Sequence, residues 1–317
     1  MDSNKFAFVF PGQGSQSMGM LSDLANKYGE IRSVFERASD ALAKDLWPLV
    51  KDGPEVELSR TENTQPIMLA AGYACFLVWQ ECSGRKPEWM AGHSLGEYTA
   101  LVCAGALTFE DAVTLVKQRA RLMQGAVPEG QGAMAAILGA PDATVGEVCE
   151  EITASSTTGQ LVTAANFNAP GQVVIAGHYA AVQLAMEVLR EKGARKAILL
   201  PVSIPSHCPL MSSISAEFQE LFSEVRIAEP SIPVVQNVDA KPHKSPSEIQ
   251  KGLIEQLSNP VLWVDSMNFI RHNNVTCYIE VGPGKVLAGL NKRIIPDGKH
   301  ASIDSYAGLS SALEIIS

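Results

Sequence analysis

The 317-residue sequence contains no apolar run near the roughly 18 residues that a bilayer span needs, and this excludes a transmembrane helix. Its six cysteines (Cys75, Cys82, Cys103, Cys149, Cys208 and Cys277) show no C-x-x-C spacing and stand in apolar surroundings, so buried reduced thiols are expected rather than disulfides or a zinc site. No His or Cys cluster has metal spacing, and no G-x-x-x-x-G-K-[ST] occurs. Two glycine-rich turns each lack the third fingerprint glycine of a dinucleotide site: Ser17 replaces it after Gly12 and Gly14, and Leu287 after Gly282 and Gly284. Neither a metal nor a bound cofactor is therefore expected. Positive charge is also scarce, with 25 Lys+Arg against 34 Asp+Glu and a net charge of −9. Such a surface is unsuited to gripping nucleic acid or an anionic membrane as a whole. The first residues, Met1 to Lys5, carry no basic region or cleavage site, and the expectation is a cytoplasmic protein.

What the chain has in quantity is apolar residues, 46% against 19% charged, enough to offset its ordering entropy in a globular fold of about two domains. Residues 5–10 predict a buried strand stopping at Pro11-Gly12-Gln13-Gly14, with a helix to follow. A nearly uncharged helix is predicted over 64–83, a short strand over 89–92, and helices over 95–104 and 108–127, the last with Thr108 as N-cap. The rhythm then changes. Strands at 133–138, 161–167, 173–176 and 197–200, with helices at 142–153 and 180–192, give the β-α-β-β-α-β order of a ferredoxin-like unit. The fold class is accordingly α/β: a large domain of residues 1–127 and 201–317 built on a parallel sheet, interrupted by a small domain of residues 128–200. Beyond Pro201 the large domain resumes with helices at 211–222, 247–257 and 266–273 and a strand at 278–281.

Gly92-His93-Ser94-Leu95-Gly96 matches G-x-S-x-G between a predicted strand and a predicted helix, the context of a nucleophile elbow. The bare pattern is common, and its context is the evidence. The helix opening at Leu95 aims unpaired backbone N–H groups at the site, which suits an oxyanion. Ser94 needs a base. Of the six histidines, His178, His243, His272 and His300 fall in polar, loop-like or helix-surface stretches, and His93 adjoins the nucleophile at a sharp turn where it shapes the elbow. His207 lies in the Pro-restricted stretch 201–209, where an inserted domain would return to the main sheet, and is the candidate base. Arg119 is placed toward the apolar side of its helix by Val116 and Met123; a guanidinium so placed needs an anion, and a substrate carboxylate matches it.

These residues fall within a longer series. Phe10-Pro11-Gly12-Gln13-Gly14-Ser15-Gln16, Gly92-His93-Ser94-Leu95-Gly96-Glu97, Gln118-Arg119, Asn166-Phe167-Asn168-Ala169-Pro170-Gly171-Gln172, Pro205-Ser206-His207-Cys208, Gln256-Leu257-Ser258-Asn259-Pro260-Val261 and Glu280-Val281-Gly282-Pro283-Gly284 together resemble the motif series of the bacterial malonyl-CoA:acyl carrier protein transacylases. The resemblance spans nearly the whole chain. It implies an α/β-hydrolase-like large domain with a ferredoxin-like insertion, the site lying between them. It further implies Ser94 as nucleophile, His207 as base oriented by the backbone carbonyl of Gln256, and the backbone N–H groups of Gln13 and Leu95 as oxyanion hole. Arg119 would hold the free carboxylate of malonate, and Asn168 and Gln172 would line the cleft.

The partners implied are malonyl-CoA and acyl carrier protein, both substrates, with the protein expected to be a monomer. Carriers of this class are acidic, so a net charge of −9 calls for a local cationic surface. Arg190, Lys192, Arg195 and Lys196 form one candidate cluster; Lys285, Lys292 and Arg293 form the other. Two alternatives keep Ser94 as nucleophile. A serine hydrolase or thioesterase would need an acid between Ser94 and His207 in chain order, where Asp142 is badly placed on the small domain. A discrete polyketide-type acyltransferase would differ only in its carrier.

Overall fold

The structure, a computed structural model, describes residues 5–202 and 204–317. Residues 1–4, and residue 203 of the stretch leading to His207, were used in the sequence reading and lie outside the described residues. The strands are β1 (Phe6–Phe10), β2 (Trp89–Gly92), β3 (Gly132–Leu138), β4 (Val162–Ala169), β5 (Gln172–His178), β6 (Lys196–Leu199), β7 (Val234–Val235), β8 (Cys277–Val281) and β9 (Lys299–Ile303). They form two sheets. The larger has the order β7-β2-β1-β8-β9 with every pairing parallel; the smaller is antiparallel in the order β4-β5-β3-β6.

A parallel sheet is stable only with both faces covered, and β1 displays how the sequence arranges this. Phe6, Phe8 and Phe10 alternate onto one face, beneath helix Thr61–Cys82, where the Phe8 ring meets Trp79 edge-on at 5.2 Å. Ala7 and Val9 point to the other face and pack with Trp263, Met267, Leu287 and Leu290. Helix Thr61–Cys82 starts earlier than predicted and runs through Pro66. Proline cannot bond the carbonyl four residues back, and Lys117 Nζ instead donates to that Glu62 carbonyl at 3.2 Å.

The small sheet reproduces the β-α-β-β-α-β reading, with its own apolar core. Its β4 edge is joined to the large sheet's side of the molecule: Phe167 N–H donates to the Val261 carbonyl and Val261 N–H to the Ala165 carbonyl, at 3.0 and 2.9 Å. Register shifts interrupt β4 between Ala164 and Asn166 and between Phe167 and Ala169. Irregularities of this kind re-aim side chains, and here they flank Asn166 and Asn168.

Several expectations are corrected. The helix predicted over 211–222 is a 3-10 turn Pro209–Ile214, a short α-helix Ser215–Glu220 and a second 3-10 turn, the Ser212-Ser213 pair favouring the tighter turn as Ser213 Oγ donates back to the Leu210 carbonyl at 3.2 Å. The turn after β1 leads first to the single-turn helix Ser22–Ala25 and only then to Gly29–Leu42. His178 and His300 lie in strands, not loops. Five cysteines are buried, but Cys82, at the solvent end of its helix, is exposed.

Candidate active site

Strand β2 runs directly into helix Leu95–Cys103, and Ser94 sits at the junction with φ 52° and ψ −109°. A residue with a side chain pays roughly 1–3 kcal/mol to stay in such a conformation, so the surroundings must enforce it. They do so by close backbone approach. A Cβ on Gly92 would overlap the Gly96 carbonyl, and one on Gly96 would overlap the Phe10 carbonyl. Both glycines of the motif are thus required by packing. Asn237 then staples the turn: its Oδ1 accepts from Ser94 N–H at 2.7 Å, and its Nδ2 donates to the Gly92 carbonyl at 2.7 Å.

Ser94 Oγ lies 2.7 Å from His207 Nε2, and His207 Nδ1 lies 2.7 Å from the Gln256 carbonyl oxygen. A carbonyl can only accept, so Nδ1 carries the ring proton and Nε2 is left to accept from the serine hydroxyl. Burial, reinforced by the charge of Arg119, pushes His207 down to about 3, which keeps the ring neutral at neutral pH. The backbone N–H groups of Gln13 and Leu95 border the same cleft, and neither has a hydrogen-bond partner among the described residues. The turn carrying Gln13 can close over the elbow because Gly12 has no Cβ, which would stand 2.6 Å from the His93 carbonyl.

Arg119 is 1% exposed. Its Nη1 donates to Gln65 Oε1 at 2.8 Å, and its Nη2 donates to Gln256 Oε1 at 2.9 Å and to Ser94 Oγ at 3.3 Å. All three partners are neutral. The guanidinium forms no ion pair among the described residues, and its Nε has no partner. A cavity of about 250 Å³ opens above Ser94, His207 and Arg119, with Asn166, Asn168 and Leu287 in its wall. Asn168 Oδ1 accepts from His93 Nε2 at 2.8 Å, joining the small domain to the elbow. Burial lowers the His93 pKa, so that ring too is neutral.

Gln172 is the exception among the predicted cleft residues. It faces away from the cavity and accepts from Arg293, whose Nη2 also donates to the Pro170 carbonyl at 2.9 Å. The two-residue turn between β4 and β5 sends it outward. Asp142 is also spoken for, accepting from Gly171 N–H at 3.1 Å within the small domain. Of the exposed cations named from sequence, Lys192 pairs with Glu151 and Lys285 with Asp304, while Arg190 donates to the Ala197 carbonyl. Arg195, Lys196 and Lys292 form no ion pair among the described residues. Sequence reasoning missed the parts played by Gln65, Glu97, Asn166 and Asn237. Glu97 and Asn166 stood inside quoted motifs, but Asn237 lies in a loop with no periodicity and no motif to mark it. No group of three or more His, Cys, Asp or Glu among the described residues could hold a metal ion, and no helix among them is long and apolar enough to cross a membrane.

Comparison with known proteins gives a consistent result. Residues 7–303 match the acyl transferase domain family. The chain is 48% identical over 311 residues to the malonyl CoA-acyl carrier protein transacylase of Escherichia coli strain K12, covering 98% of this chain and 99% of that one. Among solved structures it resembles the malonyl CoA-acyl carrier protein transacylase of Coxiella burnetii, with a TM-score of 0.95, 44% identity and coverage of 99% and 97%. It resembles equally a malonyl-transacylase solved in complex with a type II polyketide synthase acyl-carrier protein, with a TM-score of 0.95, 47% identity and coverage of 98% and 99%.

Proposed function

The chain belongs to the acyl transferase domain family, among the malonyl CoA-acyl carrier protein transacylases, and from that premise we propose that it moves a malonyl group from coenzyme A to the phosphopantetheine thiol of an acyl carrier protein. The observation that carries the proposal is Arg119: a buried guanidinium, held only by neutral groups, 3.3 Å from the hydroxyl of an elbow serine. A buried cation without a counter-ion favours a substrate that brings one, and malonyl thioesters carry a free carboxylate beside the reacting carbonyl.

In the first half-reaction Ser94 Oγ attacks the thioester carbonyl carbon as its proton passes to His207 Nε2. The tetrahedral oxyanion is received by the backbone N–H groups of Gln13 and Leu95. Collapse breaks the C–S bond, and His207 returns the proton to the departing coenzyme A sulfur. Malonyl-Ser94 remains. The carrier thiol then gives its proton to His207 and attacks the ester carbonyl, and Ser94 leaves with that proton. Coenzyme A and phosphopantetheine are substrates, and no cofactor enters. Lys196, Lys292 and Arg195 are the free cations proposed to meet the acidic carrier, and the protein acts as a cytoplasmic monomer.

The reaction is tested with radiolabelled malonyl-CoA, with and without carrier. Label on the carrier supports transfer, release of free malonate supports the hydrolase alternative, and neither would reduce the chain to a binding module. Running the assay with fatty-acid and polyketide carriers side by side separates those two destinations.

A further inference from the structure

Beneath the elbow lies a buried carboxylate that takes no part in the chemistry above. Glu97, on the first turn of helix Leu95–Cys103, is 0% exposed. Its Oε2 accepts from the backbone N–H of Asn237 at 2.8 Å and from Gln256 Nε2 at 3.0 Å, and its Oε1 has no partner. Gln256 is where these bonds converge. Besides Glu97, its Nε2 donates to the Ser94 carbonyl at 3.0 Å and approaches Asn237 Oδ1 at 3.4 Å, while its Oε1 accepts from Arg119 Nη2.

An amide can sit in such a pocket in two orientations related by a half-turn. In the orientation observed, each contact joins a donor to an acceptor. Reversed, Gln256 Nε2 would face the guanidinium N–H, and Oε1 would face the Ser94 carbonyl and the Glu97 carboxylate. Burial pushes the Glu97 pKa up to about 7, so what Glu97 supplies on the Nε2 side is the Oε2 acceptor and not a fixed charge.

We infer that Glu97 is a positioning residue for substrate selection: by fixing the orientation of the Gln256 amide it keeps an oxygen against Arg119, and so holds the guanidinium in register with Ser94. The inference rests on the proposed role of Arg119 toward the malonyl carboxylate. Glu97 touches neither Ser94 Oγ nor the cavity, so it acts through the two groups it bonds, the Gln256 side chain and the Asn237 backbone. Both donors meet a single Glu97 oxygen, which makes Glu97→Gln the conservative variant: one amide oxygen can still receive Asn237 N–H and Gln256 Nε2. Glu97→Met keeps similar bulk and removes the acceptor.

The readout is the ratio of malonyl to acetyl loading at Ser94, followed by intact-protein mass spectrometry on folded protein, with Arg119→Ala run beside the Glu97 variants. Glu97→Met should lower the ratio about tenfold, the upper end for one hydrogen bond, whereas Glu97→Gln should stay within about threefold of the unmodified protein. Should Glu97→Met fail to fold, Glu97→Asp asks the same question, since its carboxylate is withdrawn by one methylene from both donors. A ratio unchanged in Glu97→Met or Glu97→Asp while Arg119→Ala lowers it would overturn the inference. Equal loss in Glu97→Gln and Glu97→Met would overturn it too, because charge and not the acceptor would then matter. If Arg119→Ala itself leaves the ratio unchanged, it is the reading of Arg119 that fails.

Discussion

Replacing Arg119 by alanine should change which thioester the protein prefers. In the malonyl complex the guanidinium and the substrate carboxylate would form a pair shielded from solvent, since Arg119 is 1% exposed before any substrate arrives. Removing one partner of a buried pair costs about 3–5 kcal/mol, or between 10² and 10⁴ in kcat/KM at about 1.4 kcal/mol per tenfold. The lower end is expected, because the shortened side chain leaves room for water to solvate the stranded carboxylate. Acetyl-CoA offers no carboxylate and loses only the 3.3 Å contact to Ser94 Oγ, a long hydrogen bond worth at most about 1 kcal/mol. The malonyl-to-acetyl ratio should therefore fall by at least about tenfold. A second consequence has a fixed sign: burial is the main cause that holds His207 low and the charge of Arg119 the next, so its removal must raise the His207 pKa. The acid limb of acetyl loading should accordingly move to higher pH. Initial rates of acyl-enzyme formation with both substrates, from pH 4 to pH 8, measure both effects. An equal fall for malonyl and acetyl loading, with an unmoved acid limb, would make Arg119 a structural residue and refute the reasoning.

Three further variants test the reading. Ser94→Ala should fold normally and show no malonyl adduct by intact-protein mass spectrometry; an adduct in equal yield would remove Ser94 as nucleophile. His207→Ala should slow acylation by roughly 10³-fold, the usual contribution of a general base, and retain a residue of activity from the oxyanion hole, and an unchanged rate would exclude it as base. The same variant carries a stability signature: between pH 6.5 and about 3 the unfolded chain binds a proton at His207 that the folded protein does not, so the stability contribution present above pH 6.5 is lost as pH falls. Urea midpoints at pH 4, 5.5 and 7 should show a shallower decline without His207. Arg195→Glu with Lys196→Glu should weaken carrier use and its salt dependence while leaving loading from malonyl-CoA intact; a response in both half-reactions, or in neither, would move the docking surface elsewhere.

How much of this could be read from sequence depends on the range over which each residue acts. The elbow was legible because its glycines are demanded by local backbone contacts, so the motif and its strand-to-helix setting travel together along the chain. The ferredoxin-like unit was legible because each of its elements has a period of its own and a turn residue at its end, such as Gly139, Gly171 and Gly193, all with positive φ. Helix Gly29–Leu42 displays Ile31, Val34, Phe35 and Ala38 at helical spacing and could have been read the same way. Strand β7 could not, being two residues long, and β9 opens on Lys299 and His300, outside the buried part of the sheet. Asn237 reaches Ser94 and Gln65 reaches Arg119 across gaps of 143 and 54 residues, which no window of periodicity spans.

The groups that hold the two catalytic and binding side chains share a chemical property that explains the arrangement. Every group hydrogen-bonded to Arg119 or His207 is uncharged: two amide oxygens on the guanidinium, one backbone carbonyl on the imidazole, and the Ser94 hydroxyl shared by both. A carboxylate in place of the Gln256 amide would stand within 3 Å of Arg119 and neutralise it, leaving the cavity without its reason to prefer an anionic substrate. A carboxylate on His207 Nδ1 would bring negative charge to the same small space and oppose the incoming malonyl group. The site's own acid, Glu97, is instead set one residue back, behind the Gln256 side chain, where it bonds amide donors and leaves Arg119 outside ion-pairing distance. Neutral holders thus serve two requirements at once: the base keeps its tautomer, and the cation stays unpaired until the substrate supplies the missing charge.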